Sequence, residues 1–246
     1  MEQENKFPSE VIDLPSKGLL YPADSPLKSG TIEMKYMTAK EEDILTNQNY
    51  IQKGVVIDKL LQALIVDKSI NYSNLLVGDK NALLVAARIL GYGKDYEFTY
   101  AGEKVTVDLS EVKNKPFDES KIVDGKNEFN YTLPTTGDTI TFKLLTHSDE
   151  QKIDQELQGL RKMNKDASPE VSTRLKYMII GVNGNGETKV IREFVDNRFL
   201  ARDSRAFRKY IADIQPDVDL KFYPDGAEEG VDIPIGVNFL WPDANL

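Results

Sequence analysis

The chain has 246 residues, of which 40% are hydrophobic and 29% are charged, as is ordinary for a globular protein. It contains no cysteine, which excludes disulfides and thiolate metal sites, and its net charge of −9 disfavours a nucleic-acid backbone as the main partner. No apolar run approaches the roughly 20 residues of a membrane span, and residues 1–6 carry no signal-peptide pattern. We therefore expect neither a membrane span nor a signal peptide.

Hydrophobic periodicity and turn residues place the elements of the first half. They predict an extended or disordered stretch at 1–10, an ordered loop at 11–30, a strand at 31–37, helices at about 40–50, 55–67 and 79–90, and a hairpin at 95–109. The strand prediction rests on the alternation of Ile32, Met34 and Tyr36 with polar neighbours. A capping box of Thr38 and Glu41 predicts where the first helix begins.

The second half begins after the best candidate for a linker, residues 111–127. The patterns then predict strands at 128–133 and 139–145, helices at about 147–164, 169–182 and 201–214, and a terminal hairpin at 218–240. Residues 189–194 are predicted to be a short strand or the start of a helix. The Asn-Gly steps within 181–186 are typical of a tight turn, whereas a phosphate-binding loop would open a helix and carry lysine with serine or threonine.

The two halves repeat one order of elements. Residues 31–45 align with 139–153 through five identities, which are Thr31/Thr139, Ile32/Ile140, Lys35/Lys143, Thr38/Thr146 and Glu42/Glu150. Upstream, a turn at 14–18 matches a turn at 133–137, and downstream Asp79 falls in register with Asp203. Chance likeness between amphipathic helices is the alternative, but four elements in one order favour a duplication.

The repeat predicts the fold class and the domains. We expect an α+β protein of two tandem related lobes, each containing a turn, a strand, three helices and a terminal β-hairpin. The first lobe would span 1–120, with a loop insertion near its N-terminus, and the second 121–246. Each lobe is long enough to bury a core of its own.

The residue types that most often carry catalysis form no catalytic set. His147, the only histidine, could act as a base at a helix start, but we prefer a surface position because no nucleophile motif accompanies it. Glu41 and Glu42 could imitate a glycosidase pair, yet adjacent acids at a helix start usually face solvent. We therefore predict no enzyme activity, no catalytic residue, no metal ligand and no cofactor.

One basic run stands out in this acidic chain. Its members are Arg192, Arg198, Arg202, Arg205, Arg208 and Lys209. The run could contact an acidic protein, but we favour a solvated face that balances Asp196 and Asp203.

Two apolar segments lie where little regular structure is predicted. They contain the candidate partner-binding residues Leu19, Leu20, Tyr21, Phe239, Leu240 and Trp241. Aromatic residues on loops and termini often anchor protein contacts. Burial of these segments against their own lobes is an equally weighted alternative.

Three motifs together resemble the baseplate hub proteins of T-even-like contractile-tailed bacteriophages. They are residues 14–22, 37–45 and 235–242, of which the first and last are the more specific, and the likeness covers nearly the whole chain. Some members of that family carry cysteine pairs in the hairpins, as in a zinc knuckle. The stretches 98–105 and 222–231 contain none here, so the resemblance implies no metal site in this chain.

The resemblance implies a non-enzymatic structural or assembly protein of the phage tail baseplate hub. Such a protein binds other tail or hub proteins, in the host cytoplasm during assembly or in the virion tail baseplate. A tail-associated cell-wall hydrolase and a general cytosolic adaptor unrelated to phage are the alternatives. The sequence leaves open whether the chain is a permanent subunit or an assembly chaperone.

Overall fold

The computed structural model describes residues 8–164, 169–224, 229–235 and 237–241. The helices within these ranges are α1 (Ala39–Leu45), α2 (Gln48–Gln52), α3 (Val56–Leu64), α4 (Val77–Tyr92), α5 (His147–Met163), α6 (Glu170–Met178), α7 (Thr188–Asn197), α8 (Ala201–Ile214) and α9 (Val237–Leu240). The strands are β1 (Ser9–Asp13), β2 (Thr31–Lys35), β3 (Asp95–Tyr100), β4 (Glu103–Asp108), β5 (Phe129–Thr132), β6 (Thr139–Phe142), β7 (Ile179–Val182), β8 (Lys221–Phe222) and β9 (Val231–Asp232). Small antiparallel sheets alternate with helices, which confirms the predicted α+β class. Residues 1–7, 165–168, 225–228, 236 and 242–246 lie outside these ranges, and they include parts of the predicted N-terminal stretch, the terminal hairpin and the third motif.

The first sheet pairs β1 with β2, so part of the stretch expected to be extended or disordered is a strand. Ile12 lies opposite Ile32, and the strands are antiparallel. Ile32 and Met34 are buried, as the alternation predicted. Residues 14–30 between the strands form turns and a short 3-10 helix, which agrees with the predicted ordered loop.

The one three-stranded sheet among the described residues has the order β5-β6-β7, and β7 corrects the prediction of one helix at 169–182. The helix ends at Met178, and Ile179 pairs with Phe142 of β6. The apolar run also fits helical spacing, but sheet pairing buries Ile179 and Val182. The chain leaves β7 through Asn183 and Gly184, both with positive φ, which confirms the predicted tight turn.

The buried apolar side chains of both halves form one continuous cluster. In the second half, Phe142 meets Phe207 edge to face at 4.8 Å. β3 pairs with β4 and β8 pairs with β9, each as an antiparallel hairpin. The two hairpins meet through Phe98 and Phe222, whose ring centroids are 5.7 Å apart. The core therefore continues from one half to the other through the hairpins.

The predicted linker at 111–127 is held against both halves by backbone hydrogen bonds. The Lys115 N–H donates to the Asp217 carbonyl at 2.8 Å, and the Asp219 N–H donates to the Lys113 carbonyl at 2.7 Å. The Gly125 N–H donates to the Leu19 carbonyl at 2.7 Å. The division into lobes at residue 120 stays a prediction.

Candidate interaction surfaces

A buried carboxylate fastens the N-terminal loop to helix α4. Asp79 accepts hydrogen bonds from the Ser16 N–H at 2.9 Å, the Ser16 hydroxyl at 2.7 Å and the Tyr21 hydroxyl at 2.6 Å. The Tyr21 oxygen in turn accepts the Leu76 N–H at 3.0 Å. We call these contacts the latch. They tie residues 16–21 to the start of α4.

Burial sets the protonation states in the latch. Desolvation, followed by the charge of Asp79, raises the pKa of Tyr21, so the phenol remains a neutral donor. Burial also raises the pKa of Asp79, while the hydrogen bonds from Tyr21 and Ser16 act in the opposite direction. Both groups are buried, with Tyr21 4% exposed and Asp79 0% exposed.

The second half contains a counterpart of the latch in the predicted register. Asp203, the third residue of α8 as Asp79 is of α4, is buried and accepts the Thr135 N–H at 2.8 Å. Its second carboxylate oxygen has no hydrogen-bond partner among the described residues. The sequence alignment had already matched these two acids and the two turns. That match was the signal from which the latch could have been predicted.

The capping boxes also match, and they correct the solvent-facing prediction for Glu41. Both boxes are present, at Thr38 and at Thr146. Lys35 Nζ lies 2.7 Å from Glu41, and Lys143 Nζ lies 2.7 Å from Asp149. Glu41 is only 2% exposed, and Lys35 and Thr38 both bond to its carboxylate. Burial opposes ionisation of Glu41, but these hydrogen bonds outweigh it and hold its pKa below the ordinary value.

A short antiparallel pairing joins the two halves. The His147 N–H donates to the Leu75 carbonyl at 2.8 Å, and the Val77 N–H donates to the Leu145 carbonyl at 3.1 Å. Leu76 thereby lies opposite Thr146. We call the pairing of residues 75–77 with 145–147 the junction. It places the start of α4 across the start of α5.

The junction buries His147, so the predicted surface position for this residue is wrong. The side chain is 2% exposed and its ring meets Tyr72 edge to face at 4.6 Å. Its Nε2 lies 3.5 Å from Asp58, and its Nδ1 lies 3.3 Å from Lys80 Nζ. Burial lowers the pKa of His147, with opposing contributions from Asp58 and Lys80, so the ring is neutral at neutral pH. The sequence around position 147 could not predict this burial, because the residues that cover His147, 75–77, are distant along the chain.

A cleft of about 590 Å³ opens beside the junction. Its lining includes Asp58, Lys80, His147, Glu150 and Asp154. Lys80 Nζ and the Tyr72 hydroxyl both bond to Asp58, at 2.9 and 3.0 Å. Both of these bonds lie within the first half, and the contacts of His147 with Asp58 and Lys80 link the second half to them. The lining contains no serine or cysteine that His147 could activate.

The six predicted partner-binding residues divide into a buried and a partly exposed set. Leu20, Tyr21, Phe239 and Leu240 are at most 4% exposed, and Phe239 packs edge to face on Tyr96 at 4.9 Å. Burial within the chain, the alternative kept open from the sequence, describes these four. Leu19 and Trp241 are half-buried, so a partner in contact with these segments would meet those two side chains first.

The basic run does not balance Asp196 and Asp203 as predicted. Asp196 pairs with Lys176 at 2.6 Å, and Asp203 is buried and accepts a hydrogen bond from the Thr135 N–H. Arg192 instead forms two hydrogen bonds with Glu156, at 2.8 and 2.6 Å. Five basic side chains on α8 and just before it are exposed and form no ion pair within the described ranges. They are Arg198, Arg202, Arg205, Arg208 and Lys209. Beside them Leu200 is 46% exposed.

Comparison with known proteins finds no match: no family model, no curated protein and no solved structure matches this chain. In the described ranges, no group of three or more histidine, cysteine, aspartate or glutamate side chains is arranged to hold a metal ion. No helix in that part of the chain is long and apolar enough to cross a membrane.

Proposed function

We propose that this chain is a non-enzymatic structural or assembly protein of a phage tail baseplate hub and that it binds other tail proteins. The resemblance of residues 14–22, 37–45 and 235–242 to that family supports the proposal. Its place of action would be the host cytoplasm during assembly or the virion tail.

One observation carries the proposal: the first of these motifs, residues 14–22, is a loop held in place by buried hydrogen bonds. Ser16 and Tyr21 are fixed on Asp79, while Leu19 between them remains partly exposed. A loop held rigidly by buried polar groups presents its surface side chain at little entropic cost to binding. This arrangement suits recognition of a partner protein.

We also propose that the two halves descend from one duplicated unit. Asp79 and Asp203 are each the third residue of their helix. Asp79 accepts the N–H of Ser16 in the turn at 14–18, and Asp203 accepts the N–H of Thr135 in the matching turn at 133–137. The lysine pairs with the capping acid in both halves at the same distance, 2.7 Å. Shared contacts at aligned positions support a duplication more strongly than shared helical periodicity does.

The test of the proposed role is a phage in which this gene is disrupted and then complemented. We expect tails without a complete baseplate by electron microscopy, and restoration by the wild-type chain. Trp241→Ala is expected to fail to complement while retaining the wild-type melting temperature, since Trp241 is only half-buried. Tyr223→Ala, at a side chain 52% exposed outside the three motifs, is the matched control and is expected to complement.

The remaining outcomes separate the alternatives. Detection of the chain in purified wild-type virions identifies a permanent subunit. Its absence from those virions, together with defective tails in the disruptant, identifies an assembly factor. Normal tails in the disruptant contradict the proposal and favour an unrelated adaptor. Release of soluble fragments from peptidoglycan by the purified chain favours the cell-wall hydrolase. Unfolding of Trp241→Ala would make that tryptophan part of the core.

A further inference from the structure

Both segments that form the junction have counterparts elsewhere in the chain. The junction pairs residues 75–77, at the start of α4, with residues 145–147, at the start of α5. In the register set by Asp79 and Asp203, residues 75–77 correspond to 199–201. In the register set by the two capping threonines, residues 145–147 correspond to 37–39. Each half therefore carries both surfaces of this contact, and one of each is used within the chain.

The two unused surfaces, which we call the open ends, are exposed where the junction is buried. Leu200 is 46% exposed, whereas its counterpart Leu76 is 4% exposed. Ala39 is exposed, whereas its counterpart His147 is 2% exposed. No described residue forms a backbone hydrogen bond with the N–H of Ala39 or of Ala201, or with the carbonyl of Met37 or of Phe199. These are the two donors and two acceptors that correspond to the groups bonded at the junction.

The charges beside the open ends are complementary. Glu150 and Gln151 of α5 line the cleft beside the junction together with Asn81 and Leu84 of α4. The counterparts on α1 are Glu42 and Asp43, both exposed acids. The counterparts on α8 are Arg205 and Arg208, which are exposed and form no ion pair within the described residues. An acidic open end and a basic open end attract each other.

We propose that a second copy of this chain docks head to tail, with residues 199–201 of one copy paired with residues 37–39 of the next. The Ala39 N–H donates to the Phe199 carbonyl and the Ala201 N–H donates to the Met37 carbonyl, as in the junction. The contact covers Leu200. Because it joins two different surfaces, it repeats from copy to copy and produces a closed ring or an open filament. The inference rests on the register between the halves and not on the phage role.

Proline substitutions at the two helix starts test this contact. Ala39 and Ala201 are the first residues of α1 and α8, a position where proline fits the helix and removes only the N–H. The preceding residues Thr38 and Leu200 already have extended backbones, which proline requires of its neighbour. Thr188→Pro at the start of α7, whose preceding Glu187 is also extended, is the matched control.

The readout is molar mass by light scattering after size-exclusion chromatography, over a series of protein concentrations. We expect the wild type and Thr188→Pro to show a multiple of 27.8 kDa, and Ala39→Pro and Ala201→Pro each to show 27.8 kDa. A mixture of the two proline variants is expected to give twice 27.8 kDa, since each retains one intact open end. Leu200→Asp, which leaves the backbone unchanged, is expected to match Ala201→Pro in this assay.

Four results would overturn the proposal. They are a wild type of 27.8 kDa at every concentration, proline variants and Leu200→Asp that keep the wild-type mass, a mixture that stays at 27.8 kDa, and dissociation by Thr188→Pro as well. A phage-complementation result of either sign leaves this mass measurement unaffected, so the two proposals fail separately.

Discussion

Removal of one hydroxyl group tests whether the latch stabilises the fold. In Tyr21→Phe, Asp79 loses the donor at 2.6 Å and the Leu76 N–H loses the acceptor at 3.0 Å. A hydrogen bond to a charged group contributes about 1.5–3 kcal/mol, and a buried unpaired N–H costs about 1–3 kcal/mol. Since Ser16 still bonds to Asp79, we expect a loss of about 3 kcal/mol, towards the lower end of the combined range of about 2.5–6 kcal/mol.

The assay is urea and thermal unfolding of the two proteins. For a chain of this size, about 3 kcal/mol corresponds to a decrease of roughly 6–12 °C in melting temperature. Tyr223→Phe, at a tyrosine 52% exposed whose hydroxyl also bonds an aspartate, is the control and is expected to change stability by less than about 0.5 kcal/mol. If Tyr21→Phe unfolds within about 0.5 kcal/mol of the wild type, the latch adds no stability and the reasoning fails.

Three further predictions concern the capping boxes. Thr38→Ala is expected to lower the unfolding free energy by about 1 kcal/mol, and Thr146→Ala by a similar or smaller amount, measured by urea unfolding. Unchanged midpoints in both variants would show that these threonines do not cap. Because the folded pKa of Glu41 lies below its ordinary 4.5, its contribution to stability is present above that pH and is lost as pH falls through the folded pKa. Glu41→Gln is therefore expected to be less stable at neutral pH and to lose less stability on acidification, and an unchanged acid limb would contradict this.

Sequence patterns predicted the elements that are determined by residues close together in the sequence. Alternation at Ile32 and Met34, the capping box of Thr38 and Glu41 and the hairpin within 95–109 are all present. The hairpin turns at Ala101 and Gly102, which have the positive φ that such a turn needs. The predicted helix at 40–50 is divided into α1 and α2. Asn47 is the cause, since its side chain accepts the N–H groups of residues 49 and 50 and begins a new helix.

Burial of polar residues could not be predicted in the same way because its causes are far away along the chain. Tyr21 bonds to an acid 58 positions later, and His147 is covered by residues 75–77, which lie 70–72 positions earlier. A loop tyrosine and a helix-start histidine are ordinary surface residues by local criteria. Only the repeat alignment contained information of the right range, because it matched Asp79 with Asp203 and the turn at 14–18 with the turn at 133–137.

The difference between His147 and Ala39 shows how one ancestral surface can serve two purposes under the proposed duplication. At position 147 a large ring fills the space against Tyr72 and approaches Asp58 and Lys80, which makes the junction specific to the two halves of one chain. At position 39 an alanine leaves the same backbone groups accessible. A contact with few side-chain requirements and complementary charges at its edges is weaker than the junction, so assembly of separate copies would depend on concentration and on salt.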